Sequence, residues 1–225
     1  MYLNKFFKYD NNRYPHLFPK DINWMDIPQE IKDYIIGGLL GDLCIVKKTK
    51  NSARGRLSPR GAKPTPYLLF GVRTKNKSYI DSLFNLFQPM CNMTSINKND
   101  EYLYSYTFNT LSYDFLNEIY NLFYVNKIKV IPYNIGGYLT PRAIAYWFQD
   151  DGNCNYLDNG VISSFNFATH CFTFADMHYL SYVLKVKFNL NITVNINKGK
   201  PILYVSAKSR KIFLDLVNPY IHNNF

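Results

Sequence analysis

The sequence predicts an α+β protein in which one structural unit is written twice. Three observations lead there. The order helix, two strands, helix, two strands, helix can be traced over 26–125 and again over 139–225. Each half opens with an apolar helix that ends on an acid. Each half also carries a long basic stretch without a single acid. Two αββαββα repeats, each with a four-stranded antiparallel sheet, make an internal pseudo-dimer.

The first helix is expected over 28–40, capped by Asp26 with Gln29 three positions on as the return partner. Strands follow at 43–47 and 67–74, then a helix over 79–87 that Pro89 stops. Two strands near 93–97 and 102–109 are joined by a tight Asn-Asp turn, and a helix over 112–124 closes the half. The pattern then restarts. Thr140-Pro141 is a cap and first-turn pair for a helix reaching Gln149. Strands fit 153–156 and 161–168 around Asn159-Gly160, and a helix fits 173–188. Strands 192–197 and 201–205 meet at Gly199, and 207–217 is the last helix. The organisation is therefore an arm at 1–25, a first repeat at 26–125, a linker at 126–138 and a second repeat at 139–225.

The two motif helices carry the chemistry. Ile35-Ile36-Gly37-Gly38-Leu39-Leu40-Gly41-Asp42 and Tyr146-Trp147-Phe148-Gln149-Asp150-Asp151-Gly152 both run from apolar text into carboxylates. An acid at a helix C-terminus faces the negative end of the dipole, at a cost of about 0.3–1 kcal/mol. Two such placements in one chain call for a shared cation, most simply a divalent metal between the two ends. Taken singly, Asp42 is a surface carboxylate and Asp151-Gly152 a turn signal. Recurring in repeat register, they read as a site.

Composition bounds the partners. A chain of 225 residues with 47% apolar residues folds, and its net charge of +10 points to a polyanion. No run approaches the roughly 18 apolar residues of a membrane span, so no membrane partner is expected. Cys44, Cys91, Cys154 and Cys171 are not spaced as zinc or disulfide pairs. The first residues lack secretory and transit-peptide patterns, and the abundance of Asn, Lys, Ile, Tyr and Phe suggests an AT-rich organellar gene, hence a mitochondrial location. The basic residues cluster as Lys47, Lys48, Lys50, Arg54, Arg56, Arg60, Lys63, Arg73, Lys75 and Lys77 in the first half. In the second they are Lys185, Lys187, Lys198, Lys200, Lys208, Arg210 and Lys211. Strands bearing Lys198 and Lys200 opposite those of the first half would form a surface for the major groove.

These residues resemble the LAGLIDADG homing endonucleases, specifically the single-chain, two-motif type of mitochondrial group I introns. The resemblance spans about 26–220 and is most specific from Leu139 to Gly152. A third match, Val125 to Pro132, corresponds to the family's lysine-bearing segment between the repeats. It implies motif helices packed side by side at a pseudo-twofold axis, with Gly37 and Gly41 permitting close approach, and saddle-shaped sheets on the DNA. It implies catalytic roles for Asp42, Asp151 and Lys129. The metal ligands would be Asp42 and Asp151, with carbonyls of Gly41 and Asp150, holding Mg²⁺ or Mn²⁺. Aligning Phe115-Leu116 with Phe213-Leu214 puts the counterpart of Lys129 beyond Phe225, so one cutting centre is expected to be weaker unless His222 substitutes.

Two functions are then open. One is a site-specific, metal-dependent endonuclease acting as a monomer on double-stranded DNA. The other keeps the basic sheets without cutting, as an intron-RNA maturase or a structured-RNA-binding component of an organellar ribonucleoprotein.

Overall fold

The computed structural model describes residues 17–47, 66–73, 77–91, 97–98 and 105–221. The first half contains α1 (Gln29–Leu40), β1 (Cys44–Lys47), β2 (Pro66–Arg73), α2 (Lys77–Phe87), β3 (Asn97–Lys98), β4 (Ser105–Asn109) and α3 (Leu116–Phe123). A short hairpin, β5 (Tyr124–Val125) and β6 (Ile128–Lys129), follows. The second half contains α4 (Pro141–Asp151), β7 (Gly152–Tyr156), β8 (Ile162–Phe167), α5 (Phe174–Phe188), β9 (Ile192–Asn197), β10 (Lys200–Val205) and α6 (Arg210–Val217). Both halves read αββαββα. Their sheets have the same antiparallel order, β1-β2-β4-β3 and β7-β8-β10-β9.

The chain forms two compact units. One comprises Met1–Ile27 and Leu43–Asn121, the other Pro28–Asp42 and Leu122–Phe225. In the first, Phe70 stacks on Phe108 with centroids 4.1 Å apart, and Phe84 meets Phe108 edge-on. The buried Thr110 hydroxyl accepts from Leu68 N–H and donates to the Leu111 carbonyl, which leaves no polar atom of that side chain unpaired. In the second unit, Trp147, Phe148, Phe165, Phe167 and Phe213 fill the space between α4, α6 and the sheet.

Several local expectations are corrected. Asp26 does not cap α1: Trp24–Asp26 is a 3₁₀ turn, and Pro28, with its ring-fixed φ of −53°, stands at the cap without a side-chain bond. Gln29 instead donates to the Asp33 carboxylate one turn on, at 2.8 Å. Thr140 does cap α4, accepting from Ala143 N–H at 3.0 Å, but the helix runs on past Gln149 to Asp151. It stops at Gly152, where a Cβ would lie 2.1 Å from the Phe148 ring and 2.2 Å from its carbonyl oxygen. The helix expected over 112–124 begins only at Leu116, because Tyr113 is buried and its hydroxyl reaches the Pro89 carbonyl. The 207–217 helix splits into a 3₁₀ turn at Ala207–Ser209 and α6, since the Ser209 hydroxyl accepts from Asn191 N–H. The expected linker, 126–138, contains local structure. Asn126 and Lys127 both have positive φ and form the two-residue turn of the β5-β6 hairpin.

Candidate active site

Within the second unit, α1 and α4 lie side by side. A Cβ on Gly37 would come within 2.2 Å of the Ala143 carbonyl oxygen, so backbone touches backbone there and only glycine fits. One turn on, a Cβ on Gly41 would sit 3.2 Å from the Asp150 Cβ and 3.2 Å from an Asp151 carboxylate oxygen. The C-terminal ends of both helices therefore converge, as expected from the two acidic motifs.

Polar contacts fix the helix pair at its other end. The Thr140 hydroxyl donates to the buried Asp33 carboxylate at 2.9 Å while capping its own helix. Tyr146 donates to Glu30 at 3.1 Å and packs edge-on against Tyr34. Arg142 lies 4.0 Å from Glu30 and over the Tyr220 ring. Axial register of the two acid-bearing ends is thus set by side chains about three turns away.

Asp42 is exposed and Asp151 half-buried. The Asp151 carboxyl is pushed up from 3.8 to about 7, first by burial and then by the negative charge of Asp42, against the opposing pull of Lys129. A half-buried carboxyl raised by a neighbouring carboxylate marks an electrostatic hole for a cation. Lys129, at the end of β6, donates to the Gly41 carbonyl at 2.8 Å. One lone pair of that oxygen is taken by an ammonium, and a carbonyl oxygen has two. Asp150 occupies the same last turn of α4. Among the described residues no three His, Cys, Asp or Glu side chains converge as a ligand set. A hard divalent ion fits the oxygen donors Asp42 and Asp151, with Gly41 and Asp150 able to add carbonyls. Cys171, exposed at the surface, is raised by partial desolvation and also falls within the field of Lys129, Asp151 and Asp42.

The basic candidates divide. Lys198 has a φ of 50° and forms the β9-β10 turn with Gly199, and Lys200 is exposed beside it. Lys47 lies over the Tyr120 ring, its ammonium 3.8 Å from the centroid, within the first unit. Lys48, Lys50, Arg54, Arg56, Arg60, Lys63, Lys75 and His222 lie outside the described residues. So does most of the 1–25 arm. Arg73 ends β2 and Lys77 begins α2. Much of the second basic stretch is spent elsewhere: Lys185 and Lys187 occupy the last turn of α5, Arg210 holds the Ile162 carbonyl, and Lys211 pairs with Asp215.

One feature escaped the sequence reading. The second sheet turns a row of amides outward: Asn153, Asn155, Asn166, Asn195 and Asn197. The alternation of Thr193, Asn195 and Asn197 in β9 was its available signal.

A family model described as the LAGLIDADG DNA endonuclease family matches residues 32–213. A probable intron-encoded endonuclease 1 of Wickerhamomyces canadensis is 29% identical over 205 residues, 88% of this chain and 83% of that protein. The cytochrome b mRNA maturase bI2 of Saccharomyces cerevisiae is 32% identical over 208 residues, covering 85% of this chain but 45% of that protein. Among solved structures, the homing endonuclease I-WcaI bound to its DNA recognition sequence superposes with a TM-score of 0.74 at 28% identity, covering 88% of this chain and 85% of that one.

Proposed function

This chain belongs to the LAGLIDADG DNA endonuclease family, and we propose on that premise that it is a homing endonuclease hydrolysing both strands of a long double-stranded DNA site. The observation that carries the proposal is the meeting of Asp151 with the end of α1, where burial and the charge of Asp42 raise its carboxyl to about 7. Such a pair gains most from a cation brought by substrate binding.

Asp42 and Asp151 would hold a divalent ion, Mg²⁺ or Mn²⁺, with the carbonyls of Gly41 and Asp150 as further donors. When bound, such an ion supplies Lewis-acid charge at a phosphate and lowers the pKa of water. Lys129 adds a positive charge at the Gly41 end, suited to an oxyanion developing at the scissile phosphate. The Gly37 contact and the Asp33–Thr140 bond hold the two carboxylates in register, so the chain's own contribution is preorganisation. Lys198 and Lys200 would neutralise phosphates, and the basic residues of 47–77 would do the same for the other half of the site. A monomer suffices, because both motifs are in one chain. A mitochondrial, organelle-encoded origin agrees with the residue usage and with a relative named as intron-encoded.

The test is cleavage of a plasmid library with magnesium or manganese by the wild type, D42N and D151N. An acid-to-amide change keeps shape but removes the charged oxygen a hard cation requires. Both variants should bind DNA and fail to cut it. The maturase relative favours a second reading, binding of intron RNA without cutting. Tight binding of a structured RNA, with no library member cut by the wild type, would support that reading instead.

A further inference from the structure

The helix side of the second sheet is apolar: Phe165, Phe167, Pro201, Leu203 and Val205 are buried. Alternate residues therefore face the other way. Register puts Asn153 opposite Asn166, Asn166 opposite Tyr204 and Tyr204 opposite Thr193 in one row. Asn195 and Ile202 oppose each other in the next row. Asn166 donates through Nδ2 to Asn155 at 3.2 Å, and Asn155 through Nδ2 to Ser164 at 2.9 Å. Thr193 donates to the Asn195 Oδ1 at 3.2 Å. These bonds fix the amide planes and leave each amide a further N–H and a further lone pair.

Base edges in the major groove differ in what they ask for. An asparagine amide matches adenine, donating to N7 and accepting from the N6 amino group, and an apolar side chain meets the thymine methyl. Guanine is matched by arginine or lysine and cytosine by a carboxylate. The four strands contain no arginine, aspartate or glutamate, and their one lysine, Lys200, stands beside the hairpin turn.

We propose that this sheet selects an A·T-rich half-site, with Asn166 and Asn195 reading adenines and Ile202 packing on a thymine methyl. Guanine is acceptable only where Lys200 and Lys198 reach. From Thr193 to Asn197 the strand advances about 13 Å, or about four base pairs. The inference rests on the reading that the chain binds duplex DNA, and adds which bases that sheet prefers.

The test is selection of bound duplexes from a randomised DNA library in EDTA, with the wild type, N166A, N195A and N166R. N166A and N195A should each relax the preference for adenine at one position by about ten-fold or more and leave other positions unchanged. N166R should move the preference at its position towards guanine. The positions that respond identify the half-site read by this sheet. If they lie in G·C-rich sequence, or if neither asparagine variant alters any base preference while the wild type selects a definite consensus, the inference falls and the endonuclease reading stands. If the wild type selects no duplex at all, both fall together.

Discussion

The Lys129 ammonium donates to the Gly41 carbonyl oxygen at 2.8 Å, joining residues 88 positions apart in sequence. The β5-β6 hairpin thereby delivers a cation to the end of α1, next to Asp42 and within the field of Asp151. The ammonium is bonded at the end of α1.

Replacing Lys129 by methionine should slow cleavage by about 10²–10³-fold, the usual cost of losing one preorganised charge at a developing oxyanion. DNA affinity should change little. Because the charge stands on one helix end, the wild type should cut the two strands at unequal rates, with nicked product preceding linear product. Single-turnover cleavage of a supercoiled plasmid, resolved on a gel, checks both statements.

Asp151 also predicts a pH dependence. Its folded carboxyl titrates near 7, above the ordinary 3.8, so the folded state keeps a proton that the unfolded chain releases. Its contribution to stability is therefore complete below about pH 4 and lost as pH rises through 7. Melting temperature without divalent ions should fall across that interval, and D151N should flatten the curve. Magnesium should stabilise the wild type more at pH 8 than at pH 5, because metal and proton compete for the same oxygens.

Gly37→Ala should destabilise the protein, since its methyl would fall 2.2 Å from the Ala143 carbonyl oxygen and force α1 away from α4. A loss of about 1–3 kcal/mol is expected from overpacking. Cleavage should fall further than the loss of folded protein explains, because the acid-bearing ends of the helices separate. Urea denaturation and activity at a temperature where the variant is fully folded distinguish the two effects.

Thr173→Ala is the contrasting variant. Thr173 and Asp176 form a reciprocal capping box at the start of α5. Its loss should cost about 0.5–2 kcal/mol in denaturant unfolding and leave single-turnover cleavage unchanged.

The repeat was legible because its signals are local. Thr140-Pro141 announces α4, Asn159-Gly160 and Gly199 announce turns, and apolar periodicity announces the helices. The two acids were legible because each ends an apolar helix. What could not be read depends on contacts distant in sequence. Gln29 had the pattern of a capping partner, yet Asp33 claims its amide. Much of the second basic stretch looked like one surface, but Arg210 is fixed by a carbonyl of β8 and Lys187 by that of Gly136. The outward amides of the second sheet were hidden by a different cause. Asparagine is weak strand-forming text, so its alternation is outvoted by the apolar residues between.

The second compact unit is assembled from Pro28–Asp42 and Leu122–Phe225, which has a consequence for synthesis. Asp33 leaves the ribosome 107 residues before Thr140, the group it bonds. At about 5–20 residues per second that is a delay of roughly 5–20 s. Throughout it α1, twelve residues long, has no α4 to cover its Tyr34 and Gly37 face, and a helix of that length is marginal alone. The nascent chain thus presents an apolar segment for chaperones to shield. A product terminated early, anywhere before α4, has only one of the two facing carboxylates, so translation must pass the second motif before the chain can threaten DNA.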